Sequence, residues 1–301
     1  MSAERQCSKI GFDCYGSRCS ATSGSTRRGA YGYGGAMRAG LAGMLVIVLV
    51  GCGSSSEAPP EARHMSAGCE HRGSIAPTTG GTIRSGGISR PYNLRVPASD
   101  DPVPLVVNLH GALANADAQD KMSGWPALAN QEGVALLTPG ADATRRGFWW
   151  LSPDGSEPAV AYLRQLIGQV QGDVCVDLDR VYLTGFSQGA MLSLILACAE
   201  PGRFAAVAVV AGITDIQCAD RSTPVIAFHG TSDEIVGFDG RMAPNVAGLV
   251  GYRVGPSVPE LASEWQAKLA THSGGHEWPE DTTREAWDFF EDHSLAEKAG
   301  Q

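Results

Sequence analysis

The sequence predicts an α/β fold with a mostly parallel sheet flanked by helices. Segments with strand and helix patterns alternate from residue 82 onward, and their connections are long enough to cross over a sheet. Residues 104–109 form a nearly continuous apolar run, which is typical of a strand buried on both faces. Residues 181–192 join an apolar strand to a helix through a Gly-x-Ser-x-Gly turn. The chain is therefore expected to be organised around that turn, with the centre of the sheet at residues 104–109.

The composition limits the classes of protein to which the chain can belong. Its 301 residues, 43% hydrophobic and 18% charged, can bury one large core or two small ones. A net charge of −9 disfavours nucleic acid and anionic membrane surfaces as partners. Neither a nucleic-acid partner nor an internal repeat is expected.

The N-terminal residues 1–51 are predicted to be an extension followed by a lipoprotein signal peptide. Met37 starts a short basic segment, and the apolar run at 41–50 is shorter than the roughly 20 residues that span a bilayer. Residues 49–52, Leu-Val-Gly-Cys, resemble a bacterial lipobox, so we expect lipid on Cys52 and Met37 as the true start. The protein is then exported, either anchored to the cell envelope or extracellular. An ordinary signal peptide with an accidental cysteine is the alternative.

The exported chain would consist of a flexible tether at 52–68 and a single domain at 69–301. Four cysteines remain in that domain, and an even number in an oxidising compartment favours two disulfides. Three connectivities are open. A pairing of Cys198 with Cys218 would leave Cys69 with Cys175.

Periodicity and turn residues place the remaining elements. Strands are predicted at residues 90–96, 104–109, 134–137, 180–184, 205–210 and 224–229, and helices at 118–131, 158–170, 188–198, 259–269 and 283–293.

Ser187 is the candidate nucleophile. A Gly-x-Ser-x-Gly sequence between a strand and a helix holds its serine on a sharp turn at the carboxyl edge of a sheet. The next N–H, that of Gln188, lies at a helix N-terminus, where developing negative charge is stabilised. The alternative is a glycine-rich turn with a capping serine.

A serine hydroxyl needs a base and an orienting acid, in the chain order serine, acid, histidine. Asp233 follows the strand at 224–229 and is the candidate acid, with Glu234 as a substitute and a simple turn aspartate as the alternative. His276, in a Gly-Gly-His loop, is the candidate base, and His272 competes with it. The segment from His276 lacks the second histidine of a zinc-binding His-Glu-x-x-His motif, so no metal is expected.

The second oxyanion donor is expected at the end of the central strand. Residues 109–112, Leu-His-Gly-Ala, place the N–H of Ala112 there, with Leu113 next to it. A His-Gly pair that merely terminates a strand is the alternative reading of this segment.

Together these motifs resemble the secreted polyhydroxybutyrate depolymerase and feruloyl esterase-like family. The similarity runs over about residues 69–293 and includes Leu-His-Gly-Ala, Gly-Phe-Ser-Gln-Gly-Ala, Phe-His-Gly-Thr-Ser-Asp-Glu, Gly-Gly-His-Glu-Trp-Pro and Trp-Asp-Phe-Phe. The resemblance implies an α/β-hydrolase fold, hydrolysis of carboxylic esters of polyhydroxyalkanoate, feruloyl or acetyl-polysaccharide type, no cofactor, and the triad Ser187, Asp233 and His276. Trp149 and Trp150 could line an acyl or aryl pocket beside Leu113, or could instead be buried to fix their loop.

One departure from the family pattern concerns the segment before His276. Relatives carry a long segment with a further strand there, whereas in this chain only the six residues 268–273 separate Ala267 from Gly274. We therefore expect the sheet to end one strand short, at residues 224–229, with the triad still formed. A catalytically silent binding lipoprotein is the alternative function, and a serine peptidase is a second one, since the same triad permits it.

Overall fold

The core of the fold is a sheet of eight strands. A computed structural model describes residues 64–71, 80–141, 150, 159–244, 247 and 254–296. The strands are β1 (Gly81–Ser85), β2 (Ile88–Arg95), β3 (Val103–Leu109), β4 (Ala135–Pro139), β5 (Val176–Phe186), β6 (Ala206–Val210), β7 (Val225–Gly230) and β8 (Lys268–His272). Their order is β1-β2-β4-β3-β5-β6-β7-β8. The pairs β1–β2 and β2–β4 are antiparallel and the other neighbours are parallel, which confirms the predicted fold class.

Helices cover both faces of this sheet. A 3-10 helix (Ala67–His71) precedes α1 (Ala116–Ser123), α2 (Trp125–Glu132), α3 (Ala159–Asp173), α4 (Gln188–Ala199), α5 (Val258–Glu264) and α6 (Thr282–Glu291). Buried side chains of α3, α4 and α5 pack on one face, and those of α2 and α6 pack on the other. Because a strand turns successive side chains to opposite faces, Leu105 and Val107 of β3 join the first cluster and Val106 joins the second. Burial on both faces explains the nearly continuous apolar run of β3.

The predicted helix at 118–131 is in fact two helices. Gly124 lies between α1 and α2 with φ 70°, a left-handed conformation that glycine adopts without strain. Pro126 then stands in the first turn of α2, where its missing N–H costs nothing. The glycine and the proline together end one helix and start the next.

The prediction that the sheet stops at β7 was wrong. Strand β8 pairs in parallel with β7 from Lys268 opposite Ile226 to His272 opposite Gly230. Helix α5 ends at Glu264, well before residue 269, because Gln266 takes a left-handed conformation with φ 53°. The N–H of Ala267 donates to Ala262 O (2.8 Å), and that of Gln266 donates to Ser263 O (3.1 Å), as in a Schellman motif. The residues thus released from the helix form the missing strand.

Two disulfides reinforce the domain. Cys69 is bonded to Cys175, which ties the 3-10 helix to the start of β5. Cys198 is bonded to Cys218, which ties the end of α4 to the segment after β6. The expectation of two disulfides is confirmed, and this is the connectivity in which Cys198 pairs with Cys218.

All the described residues lie in one compact unit, Ala58–Gln301. The boundary at residue 69, the tether at 52–68 and the start at Met37 stay predictions, and Cys52 and Met37 lie outside the described residues. Within the part that the structure describes, no helix is both long and apolar enough to cross a bilayer.

Candidate active site

Ser187 occupies a strained turn between β5 and α4. Its φ of 53° and ψ of −117° lie in a region that side chains rarely adopt, at a cost of about 1–3 kcal/mol. Two backbone hydrogen bonds hold it there, from Ser187 N–H to Val210 O (2.8 Å) and from Met191 N–H to Ser187 O (3.1 Å). The neighbouring strand and the following helix therefore impose the conformation that presents the hydroxyl at the sheet edge.

Gly189 allows the start of α4 to lie against the end of β3. A Cβ at this position would lie 2.3 Å from the carbonyl oxygen of Leu109 and 2.5 Å from that of His110. No side chain fits there. The second glycine of the Gly-x-Ser-x-Gly sequence is thus needed for close packing between the serine turn and the central strand.

The loop after β3 reaches the serine. A Cβ built on Gly111 would lie 3.4 Å from Ser187 Cβ and 3.0 Å from a ring carbon of Phe186. Ala112 follows and is half-buried, and Leu113 has φ 64° and is 68% exposed. The structure thus brings the two segments that carry the predicted oxyanion donors, Gln188 and Ala112, to the same place.

Asp233 is a buried carboxylate with several hydrogen-bond donors. Its Oδ1 accepts from the N–H groups of Ile235 (2.8 Å) and Val236 (2.9 Å), and its Oδ2 lies 2.8 Å from Nδ1 of His276. Burial alone would raise its pKa, but hydrogen bonds from His229, His276 and Val236 together hold the pKa of Asp233 well below its usual range. The carboxylate is therefore ionised at neutral pH.

His276 connects Asp233 to the serine turn. Its Nδ1 donates to Asp233, which leaves Nε2 as the nitrogen with a free lone pair. Its ring packs on that of Phe186, the residue before Ser187, with 4.8 Å between centroids. The imidazole is therefore oriented by a carboxylate on one side and lies beside the serine turn on the other.

His272 and Glu234, the residues that compete with His276 and Asp233, have different surroundings. His272 uses Nδ1 to accept from the N–H of Gly274 (3.1 Å) within its own loop, and Glu234 is exposed.

The backbone of the histidine loop is bonded to the acid loop, from Thr231 N–H to His272 O (2.8 Å) and from Ser232 N–H to Gly274 O (3.1 Å). These bonds exist because β7 and β8 are parallel and end at the same edge of the sheet.

His229 is a residue of the site that the sequence did not reveal as such. It is 1% exposed, its Nε2 donates to Val236 O (2.8 Å), and the same nitrogen lies 3.4 Å from Asp233 Oδ2. It therefore closes the acid loop and adds a donor beside the carboxylate. The only signal in the sequence was its place at the end of a buried strand, four residues before Asp233.

Trp150 is 1% exposed, which matches the alternative of a buried tryptophan that fixes its loop. Its backbone N–H donates to Gln188 Oε1, and its indole Nε1–H donates to His110 O, both at 2.7 Å. Trp149 lies outside the described residues.

His110 is fully buried beside this tryptophan. Its Nδ1 donates to Gly111 O (2.7 Å), and its Nε2 accepts from Ala141 N–H (3.1 Å). Burial lowers the pKa of His110 to about 4, while the bond to Gly111 opposes that shift. The imidazole is therefore neutral at physiological pH.

The sheet order, with a serine on a sharp turn after the fifth strand, defines the α/β-hydrolase class of fold. A solved structure titled "Crystal Structure of a Thermostable Esterase" has the same fold, with a TM-score of 0.55, 20% identity, and coverage of 71% of this chain and 62% of that one.

A family model and individual relatives identify the family to which the chain belongs within this class of fold. Residues 89–242, just over half of the chain, match the family described as Esterase PHB depolymerase, and the chain belongs to that family. "Putative esterase NocK" of Nocardia uniformis subsp. tsuyamanensis is 32% identical over 215 residues, 66% of this chain and 61% of that protein. Feruloyl esterase C of Emericella nidulans is 31% identical over 160 residues, 50% of this chain and 57% of that protein. The chain thus spans about three fifths of the length of the curated relatives it matches.

Proposed function

We propose that this protein is a serine esterase that hydrolyses carboxylic esters through an acyl-enzyme. The observation that carries the proposal is the position of His276, whose Nδ1 is 2.8 Å from buried Asp233 while its ring packs on Phe186, next to the strained Ser187. Membership of a family of esterases supports the same reaction. No cofactor takes part in the proposed chemistry.

The first half of the reaction is acylation. Ser187 Oγ attacks the ester carbonyl carbon while His276 Nε2 takes the hydroxyl proton, and the carbonyl oxygen becomes an oxyanion. The N–H groups of Gln188 and Ala112 donate to that oxygen, and the N-terminus of α4 adds its positive end. His276 then gives its proton to the leaving alkoxide as the C–O bond breaks.

The second half is deacylation. Water attacks the acyl carbon as His276 Nε2 takes one of its protons, and the same nitrogen returns that proton to Ser187 as the acid leaves. Asp233 stays ionised throughout, because its pKa is held well below its usual range. Its proposed role is to keep the proton of His276 on Nδ1 and to stabilise the imidazolium.

The family and one surface feature support the proposed class of substrate. Esters of polyhydroxyalkanoate and feruloyl type, including polymeric ones, fit the family description and the feruloyl esterase relative, and esters of acetyl-polysaccharide type are the third candidate class. Leu113 presents an exposed apolar side chain directly after the proposed donor Ala112, where an acyl or aryl group would contact it.

A fluorophosphonate probe tests the nucleophile. The purified protein is expected to be labelled, Ser187→Ala to lose the label, and Ser263→Ala, a change at an exposed serine of α5, to keep it. Labelled wild type that cleaves short peptides but not p-nitrophenyl esters or methyl ferulate would make the protein a peptidase. Wild type that takes no label would make it a silent binding protein.

We also propose that the protein is exported and anchored through lipid on Cys52. The lipobox-like segment and the two disulfides of the domain support this location. In a bacterial host, the wild type should incorporate labelled fatty acid and sediment with membranes, and Cys52→Ser should do neither. A mature N-terminus beyond residue 52 would contradict the proposal.

A further inference from the structure

The two proposed oxyanion donors come from different segments of the chain, and one residue is bonded to both segments. Gln188 starts α4 after β5, and Ala112 lies in the loop after β3. Trp150 donates its backbone N–H to the side chain of Gln188 and its indole N–H to the carbonyl of His110, each at 2.7 Å. All three of the bonded residues, Trp150, Gln188 and His110, are at most 4% exposed.

We infer that Trp150 is a positioning residue that holds the N–H groups of Gln188 and Ala112 in one fixed arrangement for the oxyanion. This inference rests on the proposed esterase function. It assigns Trp150 no contact with the substrate.

The link from Trp150 to Ala112 runs through His110 and Gly111. The indole lies against the imidazole of His110, with 4.5 Å between ring centroids, and bonds the carbonyl of the same residue. His110 Nδ1 in turn donates to Gly111 O at 2.7 Å, and its Nε2 is held by the N–H of Ala141. Neither the ring of His110 nor its backbone can therefore turn without breaking a buried hydrogen bond.

The geometry of the peptide unit completes this link. Gly111 C=O and Ala112 N–H belong to the same planar unit, in which the two groups point in opposite directions. The oxygen is fixed by His110 Nδ1 and also accepts from Ala114 N–H (3.3 Å). Fixing the direction of that carbonyl fixes the direction of the Ala112 N–H as well.

On the other side, Trp150 restrains the start of α4. Gln188 is buried, and its side-chain oxygen is bonded to the backbone of Trp150, which lies 38 positions away in the chain. The indole also stacks on Tyr162 of α3, with 6.3 Å between centroids. Trp150 is thereby packed against the body of the domain and bonded to both donor segments.

The test is Trp150→Phe, which keeps an aromatic ring and the backbone N–H but removes the indole donor to His110. Trp125→Phe is a matched control. Trp125 is also fully buried, its indole N–H has no hydrogen-bond partner among the described residues, and it packs on Phe290 on the opposite face of the sheet. Both changes remove the same atoms from a buried site.

Kinetics on p-nitrophenyl acetate separate positioning from general destabilisation. We expect Trp150→Phe to lower kcat about 10- to 100-fold with KM within about twofold, because oxyanion donors act on the transition state. Inhibition by an aryl trifluoromethyl ketone, whose adduct carries an oxyanion, should weaken by a similar factor. Trp125→Phe should keep kcat within about twofold of the wild type. It should lower Tm by as much as Trp150→Phe does.

Several results would overturn the inference. One is a kcat for Trp150→Phe within twofold of the wild type, and another is an equal loss of kcat in both tryptophan variants. If Trp150→Phe does not fold, Gln188→Ala replaces it as the test, because this change removes the acceptor of the Trp150 N–H. An unchanged kcat in Gln188→Ala also overturns the inference. A wild type that takes no fluorophosphonate would instead overturn the proposed function, and the inference with it.

Discussion

Acidification is expected to destabilise the fold through His110 before it affects the buried carboxylate of Asp233. Burial lowers the pKa of this imidazole from 6.5 to about 4. The folded protein thus binds the proton less tightly than the unfolded chain does. The contribution of neutral His110 to the free energy of unfolding is complete above pH 6.5 and is lost as the pH falls toward about 4. At about 1.4 kcal/mol per pKa unit, the difference amounts to about 3 kcal/mol.

Besides burial, the hydrogen bond at Nε2 of His110 opposes protonation. That nitrogen accepts from Ala141 N–H, so a proton on it would place two donors face to face in a site that water does not reach. Asp233 acts in a separate pH range. Because its folded-state pKa is depressed, its stabilising contribution is lost only below its ordinary pKa of 3.8.

Urea denaturation at several pH values between 7.5 and 4 measures this effect. Over that range the free energy of unfolding of the wild type should fall by about 3 kcal/mol more than that of a variant without the titrating imidazole. His110→Gln keeps a donor and an acceptor without a titrating group, so its curve should be flatter. Parallel curves for wild type and variant between pH 6.5 and 4 would refute the assignment to His110.

Three further outcomes are expected. Asp233→Asn should lower kcat on p-nitrophenyl acetate about 10⁴-fold, because an amide favours the wrong tautomer of the histidine; a loss below about tenfold would contradict its role. Replacing Cys198 and Cys218 together by serine should lower the free energy of unfolding by about 3 kcal/mol, since their disulfide closes a loop of 20 positions. Unchanged denaturation midpoints would contradict this expectation. Gln266→Gly should raise Tm by about 2 °C by relieving the left-handed conformation at φ 53°, whereas Gln266→Ala should not.

The central part of the fold could be predicted because its signals are local. Strand β3 is buried at every position and apolar at all but Asn108. The glycines around Ser187 mark a turn that only small residues permit. The order of the acid and the histidine along the chain then placed Asp233 and His276 at one edge. Their 2.8 Å contact joins residues 43 positions apart and follows from the parallel arrangement of the strands before them.

The network around Trp150 could not be predicted, because it depends on side-chain contacts between distant segments. The bond to Gln188 spans 38 positions, the bond to His110 spans 40, and the bond from Ala141 to His110 spans 31. No periodicity or motif records such pairs. A pair of tryptophans in a loop equally suggests a pocket wall, and only burial separates the two roles.

Strand β8 was missed in the sequence for a different reason, and its presence bears on the alternative function. Helix α5 is stopped by Gln266 at a position where glycine is usual, so its end lacks the common signal. Strand β8 is an edge strand whose exposed side chains include Lys268, so it lacks the apolar pattern of a buried strand. The supposed gap was the reason to consider a catalytically silent protein, because a short connection could have displaced His276. With β8 in register beside β7, His272 lies opposite Gly230, so the histidine loop leaves the sheet next to the acid loop. The silent alternative thereby loses the observation that motivated it, and labelling of Ser187 is the measurement that decides between the two.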